Sequence, residues 1–351
     1  MAFKIRKKNF SFIVLTILLL IVSILSLSLG AIYIPIKEVL LSLAQSMGLF
    51  LDNPLDSLSD GVIKLVRWPR TLMGILVGAA LGLGGASIQA VFRNPLAEPG
   101  LIGISAGASL MAASIIAFES LLFTAVGQLL GHYILAFGAF LGAGIATWFV
   151  YRISLYKGRP HIGTMLLAGV AINALAGSLT GLISYLSNEQ QLRTITFWLL
   201  GSLGGASWEA VFTLLPFVML AFILLPMQAK ALNTFALGEQ EAKQMGQRPD
   251  RVKFRVIILA TMAVGAAVSV AGIIGFVGLL VPHAVRMLGG SDNRFVLIAS
   301  ALFGSIILTL SDLIARTIAI PSEIPIGVVT ALLGTPMFIY ILIRDKKKII
   351  V

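Results

Sequence analysis

Long apolar runs separated by short polar breaks dominate this chain. Within each run the apolar residues are continuous and do not alternate, which predicts helices. A membrane-spanning strand would instead alternate over about ten residues. A helix that crosses a bilayer needs about 20 apolar residues. Ten runs come near that length. In the first half they are Ser11–Tyr33, Thr71–Phe92, Leu101–Phe123, Gln128–Tyr151 and Gly163–Tyr185. In the second half they are Trp208–Pro226, Arg255–Ala271, Gly272–Leu288, Arg294–Arg316 and Gly327–Ile343. The first run is longer than the roughly 7 to 15 apolar residues of a cleaved signal, so it is expected to stay as a helix. The seventh and eighth share one run, so one of them should be short, broken or re-entrant. The polar breaks include an outer segment at about 34–69, where a short surface helix is expected. They also include an inner segment at about 229–254. No second domain is expected, so residues 1–351 should form one transmembrane unit.

Composition strengthens this picture. Of 351 residues, 58% are hydrophobic and 12% are charged. A soluble domain carries roughly 25% charged residues. Too little polar surface exists for a cytosolic enzyme or a secreted domain. The net charge of +11 would otherwise suggest a nucleic-acid partner, but a chain this apolar argues against one. Cysteine is absent, which excludes disulfides and thiolate metal sites.

The charges set the orientation, because inner loops carry the lysine and arginine excess. With the N-terminus inside, 20 of the 26 basic residues fall on the inner side with 6 of the 15 acids. The inner face is then near +14 and the outer face near −3. An even number of spans with both ends cytoplasmic follows. Against the acidic outer face, the outward arginines Arg67, Arg70 and Arg316 stand out.

Glycines recur four residues apart at Gly74, Gly78 and Gly82, at Gly103 and Gly107, at Gly138 and Gly142, and at Gly177 and Gly181. Such stripes let helix backbones approach where lipid supplies little hydrophobic drive. A faint repeat pairs Gly78-Ala-Ala, Gly85 and Pro95 with Gly265-Ala-Ala, Gly272 and Pro282. Catalytic chemistry is scarce. There is no phosphate-binding loop ending in Gly-Lys-Ser/Thr, no zinc-protease helix and no nucleophile elbow. His132, His161 and His283 stand apart from any ligand partner. No mid-span set of acids is available to carry protons or sodium, which weakens an ion-coupled transporter. Asp312 and Arg316 lie four apart and could pair with each other.

Several motifs then come in order: Arg67-Trp-Pro-Arg70, Asn94-Pro-Leu-Ala-Glu-Pro-Gly100, Leu101-Ile-Gly-Ile-Ser-Ala-Gly-Ala108 and Leu237-Gly-Glu-Gln-Glu-Ala242. Gly275-Phe-Val-Gly278, Val281-Pro-His283, Ser311-Asp-Leu-Ile-Ala-Arg316, Glu323-Ile-Pro-Ile-Gly327 and Leu333-Gly-Thr-Pro336 follow. From about Arg67 to Ile343 the chain resembles the FecCD-type permeases of ABC importers for iron-siderophores, haem and cobalamin.

The resemblance implies an all-α, type II importer bundle of about ten spans in the bacterial plasma membrane. It implies a second permease subunit, identical or not, and two ABC ATPases that hold the ATP and magnesium. An extracytoplasmic binding protein would deliver the cargo, a ferric siderophore or alternatively haem or cobalamin. The permease itself would bind no cofactor and catalyse nothing. By the same resemblance, Arg67, Arg70 and Arg316 would meet glutamates of the binding protein. Leu237, Gly238, Glu239, Glu241, Ala242 and Gly246 would form the short helix that couples to the ATPase. The fifth and tenth spans would line the pathway, with Asn173, Ser178 and Thr330 among its polar groups. Ile162, Gly163 and Thr164 would mark the inner constriction, although family members often carry small hydroxyl residues where Ile162 and Gly163 stand. Asn94 and Glu98 would be structural, capping the start of the third span.

Overall fold

The computed structural model describes residues 2–46, 48, 57–119 and 133–349. Nearly every described residue is helical. Helix α1 (Ala2–Ser28) and the surface helix α2 (Ile36–Ser46) come first. Next, α3 (Ser57–Val62) runs through a wide π turn, Ile63–Arg67, into α4 (Trp68–Phe92). Pro69 explains the wide turn. It has no N–H to donate to Leu65 and its ring crowds that carbonyl, so the helix opens rather than breaks. A short 3₁₀ turn, Pro99–Ile102, leads to α5 (Ile104–Ala117), and α6 (Ile134–Ile153) comes after it. The far ends of the third and fourth expected spans, 120–123 and 128–132, lie outside the described residues, as does most of 47–56.

Between α6 and α7 (Ile162–Leu186), Leu155–Tyr156 pairs antiparallel with Arg159–Pro160. Lys157 and Gly158, both with positive φ, make the two-residue turn that suits such a hairpin. The chain continues through α8 (Glu189–Leu200), α9 (Trp208–Met227), α10 (Ala229–Phe235) and α11 (Glu239–Gln244). It ends with α12 (Pro249–Ala271), α13 (Val277–Gly289), α14 (Asn293–Thr317) and α15 (Ile326–Ile349).

Each of the ten expected spans has its helix. Among the described residues eight helices are long and apolar enough to cross a membrane, and two shorter apolar ones, α5 and α13, complete the set. The seventh and eighth runs resolve as expected. Helix α12 has 23 residues and α13 only 13, and Gly272 to Phe276 is non-helical between them. Helix α8 was not expected. Its signature was present, since Asn188 and Gln191 form a reciprocal capping box.

Helix α4 is the central post. Gly78 of α4 meets the backbone of Gly304 on α14, and Gly82 meets Ser300. A Cβ at either glycine would strike a carbonyl oxygen, so only glycine permits this approach. Gly107 and Gly142 bring α5 and α6 together in the same way. Gly177 and Gly181 differ, because neither has a neighbour within 4 Å of an added Cβ. The repeat does not survive as local structure. Gly85 lies inside α4 and Pro95 in a loop, whereas Gly272 ends α12 and Pro282 lies inside α13.

The two ends separate by charge as expected. At one end Lys8 bonds Asp292 at 2.8 Å, and Asn233 bonds both Asp292 and Asn293. At the other end lie Ser26, Arg67, Arg70, Asp312 and Glu323. These are the segments that loop charges assign to the inner and outer faces.

Candidate functional site

The outer arginines are not presented to solvent. Arg67, Arg70 and Arg316 are 4%, 8% and 6% exposed. Arg70 sits between two carboxylates, with Nε and Nη2 on Asp312 at 2.9–3.1 Å. Its Nη1 and Nη2 also reach Glu323 at 2.7 and 2.8 Å. Arg316 approaches Asp312 at 3.4 Å and donates to the carbonyl and hydroxyl of Ser26. Arg67 donates to the carbonyls of Leu29 and Ile32, and its guanidinium fills the space beside Gly30 that a Cβ would need.

The three guanidinia are thus engaged within the chain. Most of the donors named serve this chain, while Arg316 Nε has no hydrogen-bond partner. The network joins α1, α4 and α14 to the turn before α15. The pairing of Arg316 with Asp312 is present, but Arg70 holds Asp312 more squarely. Glu323, partly exposed, sits below the usual carboxylate range because Arg70 bonds it, with burial opposing the shift.

At the inner end, α10 and α11 form a projecting elbow. Gly238 stands between them with φ 128°, and the carboxylate of Glu241 folds over it where a Cβ would sit. Helix α11 ends in a paired stop: Gly246 N–H reaches Lys243 O and Gln247 N–H reaches Ala242 O, both at 2.9 Å. Gly246 has the positive φ this stop requires. Two sets of bonds fix the elbow. Glu239 pairs at 2.7 Å with the buried Lys253 of α12, and Asn233 ties α10 to the α13–α14 turn. Of the expected coupling residues, Leu237, Glu241 and Gly246 are exposed, Ala242 is buried, and Glu239 is held internally. Met245, not among them, is exposed like Leu237 and gives the elbow a second exposed apolar side chain.

The same end carries a clip. Asp292 caps α14 and its pKa falls to about 2. Burial works against this, but the bonds from Lys8, Asn233 and the Arg294 amide, together with the Lys8 charge, outweigh it.

The face between the two ends is open. Along α7, Gly163, Leu167, Val170, Leu175, Ser178 and Leu182 are exposed. Helix α15 exposes Leu332, Leu333, Thr335 and Tyr340. Beside α15 lies a groove of about 940 Å³, walled by Leu199 and Leu200 of α8 and by Phe276. Backbone bonds fasten its rim: Ser202 N–H to Ala271 O and Ile326 N–H to Gly201 O. Helices α7 and α15 carry no charged residue until the last turns of α15.

Two of the expected lining residues bond within the chain. Asn173 points into its own chain and donates to Gly100 O at 3.0 Å, and Thr330 is 4% exposed and bonds Gly327 O. In a helix of period 3.6 they fall off the open face, which run-level reading does not resolve. Ser178 and Gly163 do lie on it. At the start of α7, His161 caps the helix by accepting from Thr164 N–H, with Thr164 Oγ1 at 3.1 Å, while Ile162 packs against the core. Asn94 forms a local turn with Leu96 N–H, and Gly103, not Glu98, is the cap of α5. The Glu98 carboxyl instead faces the backbone N–H of Phe276 before α13; burial raises its pKa and that N–H opposes the rise.

A model of the FecCD transport family matches residues 18–344. The chain belongs to that family. Among relatives, the hemin transport system permease protein HmuU of Yersinia pestis is 40% identical over 81% of this chain and 83% of its own. The cobalamin import system permease protein BtuC of Halobacterium salinarum is 38% identical over 82% and 74%. A solved structure described as an inward-facing, metal-chelate type ABC transporter superposes with a TM-score of 0.81 at 30% identity, covering 96% and 99% of the two chains. As a FecCD member the chain is a multi-pass permease of an ABC importer in the inner membrane. Family membership makes it a transport subunit, not a catalytic one.

Proposed function

We propose that this chain pairs with a second permease subunit across its open face and conducts ferric siderophores inward. The observation that carries this is the character of that face. It offers small and apolar side chains with the hydroxyls of Ser178 and Thr335, and no charge along either helix until the end of α15. Among the described residues no cluster of three His, Cys, Asp or Glu is placed to hold a metal. A bare ion crossing such a face would lose its hydration with nothing in return. A chelate brings its own ligands and crosses as a bulky, saturated complex.

Two cytoplasmic ATPases receive the crest of Leu237 and Met245, and they hold the ATP and magnesium. A short elbow tied down at Glu239 and Asn233 transmits a push better than a loose loop. An extracytoplasmic binding protein docks on the outer face. Arg67, Arg70 and Arg316 act there as an internal lock, and Glu323 is the member of the network that a docking lobe can reach. Haem is the second reading, supported by the hemin permease at 40% identity. The test is reconstitution with the cognate ATPase and binding protein, with ATP-dependent uptake of ferric siderophores, haem and cobalamin compared. Uptake confined to ferric siderophores is expected; uptake of haem or cobalamin alone would overturn the cargo assignment.

A further inference from the structure

A second groove, of about 480 Å³, opens between α6 and α12, lined from helices other than α7, α8 and α15. Gly144, Thr147 and Trp148 of α6 line it against Phe254, Ile258 and Thr261 of α12. Two features set it apart from an ordinary seam between helices. Thr147 is 5% exposed, and its hydroxyl has no hydrogen-bond partner. Thr261 Oγ1 is buried and unpartnered as well. In a hydrocarbon layer no water is present to satisfy them, so each must turn to a carbonyl of its own helix or take an acceptor from outside the chain.

The groove's inner lip is cationic. Arg152 lies over the Trp148 ring at 5.8 Å and forms no salt bridge among the described residues. Tyr151 and Phe254 pack beside it, ring centroids 5.4 Å apart. Loop charges place this lip at the cytoplasmic surface, and aromatic and cationic side chains mark the headgroup level. Five residues separate Thr147 from Arg152, a rise of about 7.5 Å along a helix. The interfacial layer of one leaflet is about 5–8 Å thick. The Thr147 hydroxyl and the free guanidinium are therefore spaced like the ester and phosphate levels of one lipid.

We propose that this groove is a binding site for one anionic diacyl phospholipid of the inner leaflet. Its phosphate sits on Arg152, an ester carbonyl accepts from Thr147, and an acyl chain runs past Thr261 and over Gly144. Gly144 has open space where a Cβ would stand, so a larger side chain there enters the groove without striking the protein.

The test uses the purified full chain, stripped of lipid in detergent and titrated with phosphatidylglycerol or phosphatidylcholine, with bound lipid counted by native mass spectrometry. One tightly retained phosphatidylglycerol is expected, preferred about fivefold over phosphatidylcholine, as one interfacial cation would give. Arg152→Gln, an exposed change, should remove the preference. Thr147→Val should weaken both lipids equally, and Gly144→Leu should abolish the tight site while circular dichroism stays unchanged. Equal retention of the two lipids by the unmodified chain would overturn the proposal. So would a Gly144→Leu chain that keeps its tight lipid, or one that changes oligomeric mass, since a protein helix would then be the occupant.

Discussion

Helices α4 and α7 are alike on paper and opposite in place. Each has 25 residues, no acid and a glycine stripe at spacing four. Yet 83% of the most apolar window of the helix containing α4 is buried in the chain, against 22% for α7. The difference lies in what faces the glycines. Gly78 and Gly82 find the backbone of α14, whereas Gly177 and Gly181 find nothing. A glycine stripe marks a place where something can come close, and only the fold says whether that partner is in the same chain. The buried stripe builds the post, and the open stripe leaves a face for a second subunit or for cargo.

The comparison breaks most sharply at Arg70, on the buried helix. Arg70→Ala leaves Asp312 buried without its main partner and should cost about 3–5 kcal/mol, seen as a lowered thermal transition in detergent. Unchanged melting would show that the outer network is not a lock. Charge reversal at Arg70 cannot serve as a clean docking test for the same reason, since it would set three carboxylates together.

The glycines come next. Gly78→Leu drives a side chain into the Gly304 backbone and should cost at least about 1–3 kcal/mol. Gly177→Leu should move stability of the isolated chain by less than about 0.5 kcal/mol, yet reduce transport or assembly. Equal melting shifts would erase the distinction drawn between the helices.

Thiol labelling sharpens it further, because the chain has no cysteine of its own. Ser178→Cys should react readily in the isolated chain and lose reactivity once a second subunit covers it. Ser87→Cys, on α4, should stay unlabelled, since that side chain is fully buried. Labelling of Ser178→Cys that assembly leaves untouched would place the pairing face elsewhere.

The smallest effect concerns the inner clip. The Asp292 carboxylate has a folded pKa of about 2, against an ordinary value of about 3.9. A depressed carboxylate contributes stability above the ordinary value and loses it as pH falls through the folded one. Melting temperature should therefore drop modestly between about pH 4 and pH 2, and Asp292→Asn should flatten part of that drop. The clip lies outside both helices, so neither the α4 nor the α7 variants should alter it.

Run length and loop charge were enough to read ten spans, their direction and the weak eighth helix. These signals are local: about 20 apolar residues either follow one another or do not. The short inner helix was legible for a similar reason, since Gly246 stands where α11 must stop. Helix α8 was missed because its single apolar stripe is too short to read as a run, although its capping box was visible. The bonding of the outer arginines within the chain was not legible. Arg70 and Glu323 are 253 residues apart, and no spacing rule connects them.

Taken alone, the sequence determined the membrane class, the family and the side of each loop, because these follow from composition, order and charge. Tertiary structure decided which polar groups are occupied and which stand open. It joined three outer-end arginines into a network within the chain and bonded Asn173 and Thr330 to their own backbone. It also left the hydroxyls of Thr147 and Thr261 without partners. A polar group's role depends on what meets it, and in a helical bundle those neighbours come from distant parts of the chain.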